Sequence, residues 1–200
     1  MQLVMQLSGD RPKNSDVCDS LLRKLEPSYF PSHLVLDTID YSQATDVLDE
    51  FRDIAFSWQR GQPIASVPQY LAELMLNENC THLIWLSKRA LDLPEWQFTW
   101  VLAHECRHVY QSRRPYPRSH ILRETQALRR QPNYRNLPPS LFDPAEIDSD
   151  IFAYQFVEHL LGETELRRAI SQTPLPRCAE LSYSAILKEV QLMWQEWLTN

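Results

Sequence analysis

The spacing of apolar and polar residues divides the first part of the chain into a helix, a strand and a second, longer helix. A helical pattern with a capping-type residue begins at Ser15. Residues 33–40 alternate between apolar and polar side chains, which is typical of a half-buried strand. Residues 42–61 then place apolar side chains at helical intervals, with Gly61 as a stop signal. We therefore expect a long helix over 42–61.

The middle of the chain combines strand and helix signals. Residues 63–67 can form a short strand, and residues 68–78 show a helical pattern that starts at a proline. Residues 81–87 are a short apolar run that favours a strand. A helix is predicted over about 94–111, because Pro94 fits a first turn and apolar residues follow at helical spacing. The strand therefore leads directly into this helix.

The sequence of the second half predicts two more helices. An insertion separates them from the elements of the first half. Residues 144–161 have a helical pattern bounded by Asp143 as N-cap and Gly162 as terminator. Another helix is predicted over about 179–198. Residues 112–142 contain five prolines and most of the arginines, so we expect an exposed excursion or lid there.

Composition favours one domain over residues 1–200. A chain of 200 residues that is 44% hydrophobic can bury one sizeable core. Its three glycines against fourteen prolines argue for stiff connections rather than flexible linkers.

The net charge of −6 hides a local excess of positive charge. Seven arginines lie between residues 113 and 135, where Glu124 is the sole acidic residue. Such a cluster can meet an acidic partner or nucleic acid, although a solvated loop has the same composition. Aromatic residues are few in this segment, which weakens the case for stacking on single-stranded nucleic acid.

The lack of a recognisable targeting signal, together with the cysteine pattern, predicts a cytoplasmic protein that does not enter a membrane. The N-terminus has no basic start followed by an apolar run, and no window approaches the ~20 apolar residues that span a bilayer. The four cysteines are scattered without a CxxC pair, as expected for free, buried thiols in a reducing compartment.

The sequence HECRH at residues 104–108 has the spacing of a zinc-peptidase motif. His104 and His108 lie one turn apart on one face of the predicted helix, so both imidazoles can reach one ion. Glu105 projects beside them, where it can act as general base without being a ligand. The alternative is a pair of structural histidines with a glutamate nearby.

A catalytic zinc ion needs a third protein ligand. Gln111 and Arg114 stand where the metzincin pattern requires glycine and histidine, so that class is excluded. Glu146 is a candidate because Asp150 follows it by one turn and can orient a histidine N–H. However, Asp143 and Glu146 also form a good capping box, and spacing does not decide between these roles. The rival ligands are His120, Glu124, Glu158 and His159.

Two segments resemble known metallopeptidases. HLIWLSKRALDLPEWQFTWVLAHECRH, from His82, is similar to the strand, loop and active-site helix of gluzincins. EIDSDIFA, from Glu146, resembles the E-x-x-A-N/D-x-F-A element of the ImmA/IrrE group. The resemblance implies that Glu146 is the third zinc ligand and that Asp150 steadies the site. It also implies an α+β, mostly helical zincin-like fold with a small mixed or antiparallel sheet, whose edge strand is residues 81–87.

These observations predict a zinc-dependent endopeptidase that acts on a protein or peptide substrate. The alternatives are a catalytically silent zincin-fold interaction module and a SprT-like, DNA-associated protease. The residue that would stabilise the oxyanion is open among Tyr110, Tyr116, His120 and Tyr134.

Overall fold

The computed structural model of the chain describes five stretches: residues 4–7, 14–39, 55–63, 67–114 and 143–172. Within them the fold is α+β, as predicted. The strands are β1 (Val4–Leu7), β2 (His33–Leu36), β3 (Ala55–Gln59) and β4 (His82–Leu86). The helices are α1 (Ser15–Leu22), α2 (Gln69–Leu76), α3 (Lys88–Leu91), α4 (Glu95–Arg113), α5 (Pro144–Leu161) and α6 (Glu163–Gln172), and a 3-10 turn covers Pro27–Tyr29.

The four strands form one mixed sheet in the order β1-β2-β4-β3. β1 is parallel to β2 and β2 is parallel to β4, whereas β3 runs antiparallel to β4. The expectation that residues 81–87 form an edge strand is therefore wrong, because β4 lies between β2 and β3. The physical reason is visible in its side chains: all five are buried, and a strand that is apolar on both faces belongs inside a sheet.

The long helix predicted over 42–61 is wrong at its C-terminal end. Residues 55–59 form β3, and residues 40–54 lie outside the described part. Phe56 pairs in register with Trp85, and their rings stack with centroids 5.3 Å apart. Trp58 fits the spacing of a helix with Ile54 and Ala55 as well as the alternation of a strand with Phe56, and pairing with β4 decides in favour of the strand.

Helix α2 and the sheet enclose a core that includes Trp58. The buried members of this cluster are Val35, Trp58, Leu71, Met75, Cys80, Leu83 and Trp85. The helix predicted over 68–78 is confirmed, since α2 begins directly after Pro68. Cys18, Cys80 and Cys106 are free and buried, as the cysteine pattern predicted for these three.

Helix α4 follows the predicted range of 94–111 closely and packs against β3, β4, α1 and the 3-10 turn. The strand does not lead directly into it, because the short helix α3 comes first. Ser87 caps α3 by accepting a hydrogen bond from the backbone N–H of Ala90 (3.3 Å). Asn14 donates from its side-chain amide to the backbone oxygens of Leu91 (2.9 Å) and Leu93 (3.2 Å), which ties the start of α1 to the chain entering α4.

The chain divides into two compact units, residues 1–114 and residues 115–200, and α5 and α6 belong to the second. The helix predicted over 144–161 is confirmed as α5. Asp143 caps it by accepting the Ala145 N–H (2.8 Å), and Gly162 ends it at φ 83°, a backbone conformation that favours glycine. Helix α6 was not predicted.

Other predictions fall on residues that are not described. They are the helix over 179–198 and the insertion from residue 115 to residue 142. The prediction of a single domain stays a prediction. In the part of the chain that the structure describes, no helix has both the length and the apolar character needed to cross a membrane.

Candidate metal centre

Helix α4 brings the two histidines of the HECRH motif together. Their Nε2 atoms are 3.0 Å apart, and the rings meet edge to face with centroids 4.7 Å apart. His104 is buried and His108 is half-buried. Two imidazoles on a tetrahedral zinc ion, with Zn–N distances of about 2.0–2.1 Å, have their nitrogens about 3.3 Å apart. The two nitrogens therefore have nearly the separation of two ligands of one ion.

Glu146 completes a group of three residues that can hold a metal ion. One ligand atom from each of His104, His108 and Glu146 lies within 4.8 Å of the other two. Glu146 stands in the first turn of α5, directly after the capping residue Asp143 and Pro144. Two imidazole nitrogens and a carboxylate oxygen form a donor set that suits zinc. These three residues could hold a metal ion, and the assignment of Glu146 as the third zinc ligand stays a prediction.

The rival ligands are not part of this group. Glu158 and His159 lie on α5 about three turns beyond Glu146, and neither belongs to a possible metal cluster among the described residues. His120 and Glu124 lie outside the described part of the chain.

Gln111 contacts His108 from the next turn of α4. Its Oε1 lies 3.0 Å from His108 Nδ1, the ring nitrogen that does not face His104. In the sequence, Gln111 stands out merely as a departure from the metzincin pattern. The signal that could have revealed it is its spacing, because residues three apart on a helix share a face.

Glu105, the predicted general base, is buried on α4 and lies between His104 and His108 in sequence. Its neighbour Cys106 is fully buried, and burial, followed by the negative charge of Glu105, raises the pKa of its thiol. Burial also raises the pKa of Cys18 to about 12. Both thiols are therefore protonated at neutral pH, as is usual for buried structural cysteines.

Asp150 follows Glu146 by one turn on α5 and is buried, with 1% of its surface exposed. Asp148 and Ser149, the two residues before it, are also buried. A buried carboxylate requires compensating interactions. Hydrogen bonds within the fold can supply them, and so can hydrogen bonds to histidines that bind a metal. That Asp150 orients one of the histidines that could hold a metal ion stays a prediction.

An aromatic and arginine cluster, formed by Tyr29, Arg107 and Tyr110, lies along α4. The two tyrosine rings stack with centroids 4.5 Å apart, and Arg107 lies 4.6 Å from the centroid of Tyr110. Arg107 also donates from Nη1 to the Tyr29 hydroxyl (2.8 Å). These contacts give Tyr110 a packing role, and they do not select it as the oxyanion-stabilising residue. Tyr116, His120 and Tyr134 lie outside the described residues.

Two of the seven arginines that suggested an acidic partner are described, and both contact their own chain. Arg113 donates to the backbone oxygen of Ser28 (3.1 Å) and lies 3.3 Å from His82 Nδ1. Arg114 lies 5.6 Å from the centroid of the Tyr110 ring. The other five lie outside the described part, so an acidic or nucleic-acid partner stays a hypothesis.

Comparison with known proteins adds no family to this geometry. The resemblance to the gluzincins and to the ImmA/IrrE group stays a prediction based on two short segments. No family model, curated protein or solved structure matches the chain.

Proposed function

We propose that this chain is a zinc-dependent endopeptidase that hydrolyses an internal bond of a protein or peptide. The observation that supports this proposal is the group of His104, His108 and Glu146, whose ligand atoms lie within 4.8 Å of one another. A set of two histidines and one glutamate leaves one position of a tetrahedral ion open, which is the arrangement of a catalytic rather than a structural zinc site.

The neighbouring residues have the types that peptide hydrolysis needs. A bound zinc ion would supply Lewis acidity and lower the pKa of a coordinated water to about 7. Glu105 is the proposed general base: it takes a proton from the attacking water and delivers it to the leaving amine. Because Glu105 is buried, few water molecules compete for its carboxylate, and a bound cation would attract it more strongly than in bulk water.

Asp150 is the proposed supporting carboxylate. It is buried one turn beyond Glu146 on the same helix face. A carboxylate in that position can accept an imidazole N–H and hold the ring in the orientation that the ion requires.

The metal content of the purified chain tests the ligand set. Wild type should hold about one zinc ion per chain, and Glu146→Gln should hold sharply less, because an amide oxygen is a much weaker zinc ligand than a carboxylate. Glu158→Gln, a substitution of the same type on the same helix, is the matched control and should retain its zinc. Elemental mass spectrometry provides the measurement.

Three other outcomes of these zinc and activity measurements would change the proposal. Undiminished zinc in Glu146→Gln would move the third ligand to another residue. Absence of metal from every variant after zinc is supplied, with the chains folded, would refute the proposed site. Full zinc in wild type with no hydrolysis of any peptide in a broad library would instead leave a zinc-stabilised interaction module.

A further inference from the structure

The hydrogen bond between Gln111 and His108 determines which nitrogen of His108 carries a proton. Gln111 Oε1 lies 3.0 Å from His108 Nδ1 and can only accept a hydrogen bond, so the proton of a neutral ring must be on Nδ1. The other nitrogen, Nε2, then presents a lone pair. This is the atom that lies 3.0 Å from Nε2 of His104.

The opposite orientation of the Gln111 amide would hinder metal binding. If the amide NH₂ of Gln111 faced His108, it would donate to Nδ1, and the ring proton would be on Nε2. That proton would point toward His104 and would have to leave before an ion could bind. The orientation of the Gln111 amide therefore decides whether His108 can bind an ion directly or must first change its tautomer.

We infer that Gln111 is a positioning residue of the metal centre, which holds His108 in the tautomer whose Nε2 can bind the ion. This inference rests on the zinc site of the proposed function, and it does not require peptidase activity. Helix geometry supports it, because Gln111 is three residues after His108 and both belong to the regular helix α4. The helix therefore places the two side chains within reach of each other.

Gln111 is a neutral hydrogen-bond acceptor, and this affects how tightly His108 would bind a metal ion. A carboxylate at this position would accept the same proton and would also increase the basicity of the imidazole, as carboxylate partners of ligand histidines do. Gln111 orients the ring without adding a negative charge to a site that already contains Glu105 and Glu146. We therefore expect a carboxylate at position 111 to tighten metal binding, and an apolar side chain to weaken it.

Zinc affinity, measured by competition with a chromophoric chelator, tests the inference. Gln111→Met should bind zinc about 10-fold more weakly than wild type, at the low end of the 10–100-fold range for lost partners of ligand histidines. Gln111→Glu should bind zinc as tightly as wild type or more tightly. Gln69→Met is the matched control, because Gln69 is an exposed residue on α2 whose amide contacts Glu73.

The tautomer provides a second readout, which a merely structural role of Gln111 would not change. Nitrogen NMR of the histidine rings is recorded on metal-free protein at pH 8, and His108→Gln identifies the His108 signals. In wild type, Nδ1 should show the shift of a protonated ring nitrogen and Nε2 that of an unprotonated one. Gln111→Met should move population toward the tautomer that is protonated on Nε2.

The outcomes separate this inference from the proposed function. A Gln111→Met protein with wild-type zinc affinity and an unchanged tautomer would overturn the inference. If Gln111→Met fails to fold, Gln111→Glu decides, and a 10-fold loss of affinity in that variant would overturn the inference. If wild type binds no zinc at all, the proposed function fails, and the tautomer measurement alone then shows whether Gln111 holds His108.

Discussion

Glu105 is the residue on which the proposed chemistry depends most directly. It is buried, and it is adjacent in sequence to one ligand while lying off the face that the two histidines share. A carboxylate in this position can exchange protons with a water held at the metal, and it leaves the coordination positions to His104, His108 and Glu146.

Replacing Glu105 by glutamine should separate metal binding from hydrolysis. Glu105→Gln keeps the size and polarity of the side chain but cannot accept a proton, so hydrolysis should fall by about 10²–10⁴-fold. Zinc content should stay near one per chain. The measurement is cleavage of a fluorogenic peptide by zinc-loaded wild type and variant, with Glu158→Gln as the control. A zinc-loaded Glu105→Gln protein with full activity would exclude Glu105 as the base.

At the residue scale, sequence spacing predicted the contacts within one helix better than it predicted those between segments. The fixed rise and rotation of a helix bring His104 and His108 together, so the motif alone predicts their approach. Spacing left Glu146 open between capping and metal binding, and the resemblance favoured it as a ligand. The bond from Gln111 to His108 depends on side-chain conformation, and the stack of Tyr110 on Tyr29 joins residues far apart in sequence. The spacing of three residues allows the contact between Gln111 and His108 without fixing it, and nothing in the local pattern indicates the stack of Tyr110 on Tyr29.

The first turn of α5 positions Glu146, the proposed third ligand. Asp143 accepts the N–H of Ala145, and Glu146 lies in the same first turn. The first backbone N–H groups of a helix have no partner within the helix, so a cap that satisfies one of them keeps this turn from fraying.

Loss of the cap should affect both stability and metal binding. Asp143→Ala should lower the free energy of unfolding by about 1 kcal/mol, the usual value for an N-cap. It should also weaken zinc binding, because a frayed first turn no longer holds Glu146 in place. Urea denaturation of the metal-free chain and chelator competition measure the two effects. Asp143→Asn retains the capping oxygen and should resemble wild type; equal losses in Asp143→Asn and Asp143→Ala would contradict a capping role.

At the scale of elements, helices with clear end signals and the strands β2 and β4 were predicted, whereas the strands β1 and β3 were not. α4 and α5 have prolines at their starts, and a glycine ends α5, so their ranges follow from local chemistry. The strand β3 shares its apolar spacing with a helix, and pairing with β4 decides its structure. The central position of β4 depends on how the whole sheet is ordered. Its burial on both faces, in contrast, is indicated in the sequence by a continuous apolar run.

At the scale of the whole molecule, a polar network around His82 ties the sheet to the end of α4. His82 Nε2 lies 2.8 Å from the hydroxyl of Ser112, which itself donates to the backbone oxygen of Val109 (2.7 Å). The hydroxyl therefore accepts from His82, and Nδ1 is left to accept from Arg113 at 3.3 Å. A neutral ring satisfies all of these bonds, whereas a second ring proton would face the guanidinium.

This network should make the stability of the metal-free chain depend on pH. Burial, followed by the positive charge of Arg113, lowers the pKa of His82 to about 4. Burial also lowers the pKa of His33, which lies on the neighbouring strand with Nδ1 3.1 Å from the Ser32 hydroxyl. As the pH falls below about 6.5, the unfolded chain binds protons at these histidines before the folded chain does. Stability is therefore fully present above that pH and is lost progressively as the pH falls toward 4.

His82→Gln isolates the contribution of one side chain to this dependence. Glutamine can still donate to Ser112 but does not titrate, so the variant should lose about 1–2 kcal/mol less than wild type between pH 7 and pH 5. The measurement is urea denaturation at both pH values in the presence of a chelator, so that loss of metal does not contribute. His159→Gln, an exposed histidine on α5, is the control and should keep the wild-type slope. Identical slopes in wild type and His82→Gln would mean that His82 is as easily protonated in the folded chain as in the unfolded one, and that the contact with Arg113 does not hold it neutral.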